Sequence, residues 1–442
     1  MRYPQHPPDM NALLKDTPPE LLQRIYTEAG SDDEEKYLHW EELRRREPPA
    51  GLTREQWWLQ IKLKRKLQRV LVPLEDTHGQ PFHFVPAASV QECLPRIDAR
   101  AWKPPVTSDG WVVKEEQARY SVGSHIEEAT TSSLLEGAAT TRLEAREMIR
   151  QNRQPRSKGE RMVYNNYWTM ERLHDIKHLP MSPELVLDLH RRITEDTWDG
   201  EDASGRYRRD DEHIRVMSED IVLHVPPPAA QLPGRMQAMC DFANGKTPER
   251  YVHPMLRAII VHFWLAYDHP FKDGNGRTAR ALFYWMMLRD GYWLFEFLSI
   301  SSVLLEAPSR YARAFLFTET DANDLTYFIV YHLSAIERAI QAMDGRVGEI
   351  RDEVRAVEAR IHQDHDFNHR QLALLSHALR HPHQRYTLDT HRISHAVSRQ
   401  TARNDFMALV SAGLLTEKRV SRRLIFRPAP DIAERLGEGS PV

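Results

Sequence analysis

Apolar residues recurring every three or four positions dominate the middle of the chain and predict helices over 184–194, 254–267, 277–289 and 324–343. A mainly helical domain over 113–345 follows. The period changes to two in one place. Ile214, Val216, Ile221, Val222, Leu223 and Val225 flank the polar turn Ser218-Glu219-Asp220 and run into Pro226-Pro227-Pro228, which predicts a β-hairpin over 213–225 with an edge able to accept another chain's backbone.

Residues 1–112 read as an N-terminal α/β module without a catalytic constellation, opening with a proline-rich leader and an acidic stretch over 31–36. Thr53 with Gln56 three positions on forms a capping box. It opens a helix in which Trp57, Trp58, Ile61 and Leu67 alternate with Lys62, Lys64, Arg65, Lys66 and Arg69, and 80–85 reads as a strand after the His78-Gly79 turn. The basic run is expected to be a solvated helix face rather than a phosphate contact.

After the central domain, Val347, Ile350, Val354, Val357 and Ile361 form a heptad-like stripe on a connecting helix over 346–364. Packing within the chain is preferred for it; the alternative, a coiled coil, would make a homodimer. Residues 365–430 follow the order of a winged helix-turn-helix, with helices over 370–379, 389–396 and 398–412, a stop at Gly413 and a hairpin over 418–427; a tail over 431–442 closes the chain. Ala402, Phe406, Leu409 and Val410 make an inward stripe, leaving Arg399, Gln400, Arg403 and Asn404 outward as candidate readers of DNA. A protein-docking or structural role for this segment is the competing expectation.

Composition narrows the class. At 442 residues, 41% hydrophobic and 28% charged, the chain can bury more than one core. Its 60 lysines and arginines nearly balance 63 aspartates and glutamates, which excludes a global attraction to nucleic acid or anionic lipid. Any basic surface must be local, as over 367–428, where eleven basic residues meet three acids. Cys93 and Cys240 lie far apart without a CxxC or Cys/His metal pattern, which fits a reducing cytoplasm. The start lacks a signal-like apolar core and the most apolar stretch, 258–267, is too short for a bilayer, so no membrane segment is expected.

The chemistry concentrates in His269-Pro270-Phe271-Lys272-Asp273-Gly274-Asn275-Gly276-Arg277-Thr278-Ala279-Arg280, a polar loop between two apolar helices. Gly274 and Gly276 let the backbone approach a ligand, and the amides opening the next helix point the positive end of its dipole at an anion. Arg277 and Arg280, three apart, can reach one polyphosphate, Asp273 offers a hard carboxylate for a magnesium ion, and His269 can take a proton from a hydroxyl. Gly274 to Ala279 also fits the GxGxxA dinucleotide pattern, but a helix rather than a strand precedes it, and no Walker A sequence is present.

This loop resembles the signature of the Fic domain family, H-x-F-x-D/E-G-N-G-R-x-x-R, and matches all eight of its specified positions. The resemblance covers about 113–345, including Tyr311 and Asn323-Asp324-Leu325-Thr326. It implies transfer of AMP from ATP to a serine, threonine or tyrosine hydroxyl of a target protein, or of the chain itself, with release of pyrophosphate. His269 would be the general base and Asp273 the magnesium ligand. Asn275 with the Gly274 and Gly276 backbone would hold the α-phosphate, Arg277 the phosphates and Arg280 the γ-phosphate, with Tyr311 in the nucleotide site and Phe271 facing the core. The hairpin is similar to the family's flap, whose target contacts would come from His213, Ile214, Arg215, Val216, Val222 and Leu223.

Ser132-Ser133-Leu134-Leu135-Glu136-Gly137 matches the family's inhibitory pattern S/T-x-x-x-E-G/N, on a helix over about 124–137. Read without the family it is a helix ending at a Gly137 cap. With it, Ser132 and Glu136 are inhibitory residues, Glu136 reaching Arg280 in place of the γ-phosphate. Two other functions stay open: removal of AMP by the same site, with Glu136 orienting water, and a DNA-binding regulator with an accessory Fic domain.

Overall fold

The computed structural model describes residues 2–27, 37–102, 114–198, 203–218, 220–358, 367–380, 384–420, 423–432 and 435. The acidic stretch 31–36, Glu219 of the hairpin turn, Ile361 of the heptad stripe and most of the tail lie outside them, as do the side chains of Val347, Ile350, Val354 and Val357. The fold is mainly α, with three small antiparallel sheets. Its residues group into two compact units that interleave along the chain. One comprises Met1–Lys103, Trp168–Phe295 and Ile300–Glu337, the other Pro104–Tyr167, Glu296–Ser299 and Arg338–Val442.

In the first unit the helix Arg54–Gln68 starts at Thr53, whose hydroxyl accepts from the Gln56 N–H at 3.2 Å while the Gln56 side chain accepts from the Thr53 N–H at 2.9 Å. It leads into a hairpin of β1 (Val70–Glu75) and β2 (Pro81–Phe84), the first of which the hydrophobic pattern had not revealed. β2 continues onto the loop before the helix Thr326–Glu358: the His83 N–H donates to the Asn323 carbonyl and the Leu325 N–H to the His83 carbonyl. That last helix runs unbroken past 345, so the expected connecting helix begins as its continuation.

The expectation of a solvated basic face fails for two of its residues. Lys62 and Arg65 are buried: Lys62 Nζ lies 2.9 Å from Asp321, and Arg65 donates to the Tyr327 hydroxyl at 2.7 Å and stacks on Tyr37, whose hydroxyl donates to Asp324. Burying two cations is tolerated only where partners complete their hydrogen bonds, and Asp321 and Tyr327 stand some 260 positions downstream, invisible to a charge pattern read on one helix. Lys66 and Arg69 do face solvent.

The helices Pro254–Asp268 and Asn275–Arg289 pack on each other and are buried on nearly every side, several polar side chains included. Beside them lies the flap, β3 (Val216–Ser218) paired antiparallel with β4 (Ile221–His224). Val216 faces His224 and Met217 faces Val222, so Leu223 is an extra residue that breaks the alternation. His213, in a left-handed conformation, and Ile214 and Arg215 precede the strand.

In the second unit the helix Lys114–Leu135 packs Ile126 and Ala129 against Ala145, Met148, Ile149, Val163 and Tyr167. Further on come the helix His369–Arg380, β5 (Tyr386–Thr387), the helices Leu388–His395 and Arg399–Ser411, and β6 (Leu415–Val420) with β7 (Arg423–Pro428), in the sheet order β5-β7-β6. Leu375, Phe406, Leu409, Leu415 and Phe426 are among the residues of their shared core. One buried carboxylate binds all three helices. Asp405 accepts from Arg370 at 2.6 Å, Asn368 at 2.9 Å and His391 at 3.0 Å. Burial alone would raise its pKa, but these donors outweigh burial and hold it well below the carboxylate range. The helix Leu388–His395 also packs on Lys114–Leu135.

Candidate functional site

His269 ends the helix Pro254–Asp268 in a left-handed conformation, φ 45° and ψ 55°, which turns its side chain out of the helical register. Its N–H still donates to the Leu265 carbonyl at 3.0 Å, and Nδ1 lies 3.3 Å from the Ala266 carbonyl. A carbonyl only accepts, so Nδ1 is the donor and the lone pair of the neutral ring sits on Nε2, as a general base requires.

Arg208, which the sequence reading passed over, fixes the next two backbone positions. Its Nε donates to the His269 carbonyl at 2.9 Å, its N–H to the Pro270 carbonyl at 2.8 Å, and Nη2 to the Pro227 carbonyl beyond the flap. Neighbouring Asp268 turns away from the base. Its carboxylate takes Arg235 at 2.6 Å and the Trp264 indole at 3.0 Å; burial nonetheless raises its pKa above the usual carboxylate value.

Asn275 closes the loop on itself: Oδ1 accepts from the Phe271 N–H at 2.9 Å and Nδ2 donates to the Phe271 carbonyl at 2.8 Å. What this position offers an anion is therefore its backbone at the helix start. There Gly274, at φ 82°, is the N-cap and no side chain caps the helix. A Cβ at Gly274 would stand 2.6 Å from Thr194 Cγ2, so glycine is demanded by both conformation and space. The ring of His190 supports this turn from below. Nδ1 accepts from the Gly205 N–H at 3.0 Å, Nε2 donates to the Asp273 carbonyl at 2.9 Å, and the ring stacks on Phe271 at 3.7 Å. Phe271 is fully buried, as expected.

Arg277 is wholly buried, donating to the Ile193 carbonyl at 3.2 Å and to Asp273 Oδ2 at 3.3 Å. The Asp273 side chain, 45% exposed, also accepts from the Gly274 N–H. Arg280 is buried on the same helix, with Gly276 between the two arginines and the cap. Behind Arg280 stand His262 and His332, which burial keeps neutral, the latter at a pKa of about 3, and the Arg280 charge works in the same direction. Tyr311 hydrogen-bonds His262 Nε2 at 2.8 Å, so its hydroxyl belongs to this wall.

Of the flap residues, Val222 is exposed and Val216 and Leu223 are half-buried; Met217, 48% exposed, and Ile221, 41% exposed, present further apolar surface. In the second unit Ser132 is buried, while Glu136 is exposed in the turn after the helix Lys114–Leu135, which ends at Gly137 with φ 81°. Arg399, Gln400, Arg403 and Asn404 are exposed, and Ala402, Phe406 and Leu409 are buried beneath them.

Residues 180–287 match the model of the Fic/DOC family. The chain carries a Fic domain. Over 157 residues it is 32% identical to the protein adenylyltransferase Fic of Nematostella vectensis, covering 36% of this chain and 33% of that protein. Over 119 residues it is 33% identical to the protein of the same description from Drosophila willistoni, covering 26% and 22%. The chain thus spans a third or less of the length of these relatives. Among solved structures, a Fic family protein from Desulfovibrio desulfuricans G20 aligns with 77% of this chain and 94% of its own, at 20% identity and a TM-score of 0.47. Among the described residues no helix is long and apolar enough to cross a membrane.

Proposed function

We propose that the chain is a protein adenylyltransferase. The observation that carries this reading is the pairing, across four residues, of a histidine with its lone pair on Nε2 and an anion-facing helix start without a side-chain cap. An acceptor hydroxyl on the target gives its proton to His269 Nε2 while its oxygen attacks the α-phosphorus of ATP. The bond from that phosphorus to the bridging oxygen breaks, and pyrophosphate leaves with the electron pair. The amides of Gly274 to Arg277 take the α-phosphate, and Arg277 and Arg280 the outer phosphates. Asp273, half exposed with lone pairs beyond those used by Gly274 and Arg277, fits a magnesium ion, which when bound offsets charge on the phosphates. The exposed apolar flap fits a target segment laid along its edge. The buried thiols of Cys93 and Cys240 suit a cytoplasmic protein.

Glu136 is read as the restraint on this site, and the basic face of Arg399 and Arg403 as a duplex DNA surface on a winged helix, supported by the order helix, strand, helix, helix, hairpin. ATP labelled at the α-phosphate should label protein, and ATP labelled at the γ-phosphate should not. Glu136→Gly should raise incorporation by at least about tenfold, the worth of one charged hydrogen bond. Label that leaves a premodified protein faster than it is added would reverse the direction of the reaction. Equal rates for wild type and Glu136→Gly would leave the Ser132 to Gly137 segment as a capped helix only.

A further inference from the structure

The flap ends on a residue to which the reaction above gives no part. His224 closes β4 just past the extra residue Leu223. Both its ring nitrogens meet acceptors: Nδ1 lies 2.8 Å from Glu319 Oε2 on the helix Pro308–Thr320, and Nε2 lies 2.7 Å from the Tyr267 carbonyl. A carbonyl oxygen only accepts, so Nε2 carries a proton; a carboxylate accepts as well, so Nδ1 carries one too, and a ring with both is an imidazolium. The His224 side chain is 9% exposed and that of Glu319 18%, which shields the pair from water and salt. The Tyr267 ring packs on His224 at 4.5 Å, and Tyr267 stands two residues before His269. One charged ring therefore ties the flap to the helix end that delivers the base and to a second helix.

We propose that His224 is a positioning residue, an ionic latch that holds the flap at a fixed reach from His269 and lets go when the ring gives up its second proton. The proposal rests on the reading of the site as an AMP transferase that seats its target on the flap. Burial by itself would favour the neutral ring, but the Glu319 hydrogen bond and charge, the Tyr267 carbonyl and the more distant Asp268 carboxylate outweigh it and raise the His224 pKa above the ordinary histidine value. Asp268 is already paired with Arg235, and Tyr3, its pKa raised by burial and by the Glu319 charge, is a further titratable group within reach of Glu319. Because the folded-state value is the higher one, the latch is complete below the ordinary histidine range and is lost as pH rises through the raised value.

Hydrogen exchange on the full chain reads the latch without reference to catalysis. At pH 6.5, His224→Ala should speed exchange over 216–224 by about tenfold, the scale of one charge-assisted hydrogen bond, with the helix Arg399–Ser411 as the internal control. The wild type should lose the same protection as pH rises, after correction for intrinsic rates. Glu319→Gln keeps an acceptor for Nδ1 but removes the charge, so it should move that loss to lower pH. Self-modification by AMP should fall with the same rise in pH, shifted in the same way by Glu319→Gln, while the Kd for ATP stays constant. Flap exchange that is equal in wild type and His224→Ala across the pH range overturns the latch, and so does a pH dependence unmoved by Glu319→Gln. Should the exchange signature appear in a protein that never incorporates AMP, the latch stands and the transferase reading falls.

Discussion

The motif loop and the C-terminal helices hold their candidate residues in opposite ways. In the loop Asn275, Arg277 and Arg280 are buried, Asn275 bonded to Phe271 and Arg277 to Ile193 and Asp273, with His190 bonding Gly205 and Asp273 beside them, while His269 and Asp273 stay partly open. In the C-terminal helices the committed buried group is Asp405, which holds helices together, while Arg399, Gln400, Arg403 and Asn404 stand in solvent. Chemistry at one phosphorus atom needs donors fixed before the substrate arrives, because reorganising them during reaction adds to the barrier. Contact with a long polyanion needs accessible charges, because its free energy comes largely from released counterions. Partial or full burial in the loop and exposure on the helix Arg399–Ser411 thus distinguish the two sets of candidate residues.

The largest expected effect tests the first half of this contrast. His269→Ala should lower AMP transfer by about 10²- to 10⁴-fold while ATP affinity and thermal stability hold, since the base is only half-buried. Rates within about twofold of wild type would move the base elsewhere.

Asp405→Ala should cost the C-terminal helices about 3–5 kcal/mol, because it strands Arg370 and His391 in a buried site. Urea unfolding followed by exchange over 367–432 would measure it, and an unchanged midpoint would show that the carboxylate does not hold the segment. The pH dependence has a definite sign. The folded-state pKa of Asp405 is depressed, so its stabilisation is present above the unfolded value near 3.9 and is lost as pH falls toward the folded one.

The smallest effect tests the docking face. Arg399→Ala with Arg403→Ala should leave stability within about 0.5 kcal/mol, as exposed substitutions do, yet reduce the salt slope of duplex binding by about two. A salt slope equal to that of wild type would remove DNA from the reading and leave a protein-docking or structural module.

Legibility in the sequence followed the distance between partners. The loop was readable because the base, the carboxylate, the paired glycines and both arginines fall within twelve consecutive residues. The helix at Thr53 was readable because a capping box closes over four. Arg208, His190 and Arg235 were not, since nothing local marks a residue whose partners lie 33 to 83 positions away. The burial of Lys62 and Arg65 was missed for the same reason.

The sequence by itself determined the helical period, the hairpin, the reactive loop and the outward set on the helix Arg399–Ser411, all of which arise from the chain's own periodicity and from steric rules that act over a few residues. Only the tertiary structure decided which nitrogen of His269 holds the lone pair, that the Asn275 side chain serves the loop, that Asp405 joins three helices, and that both nitrogens of His224 are donors. Each of these depends on which acceptor or donor a distant segment brings within about 3 Å, and hydrogen bonding at that range, unlike a hydrophobic repeat, leaves no periodic trace in the chain.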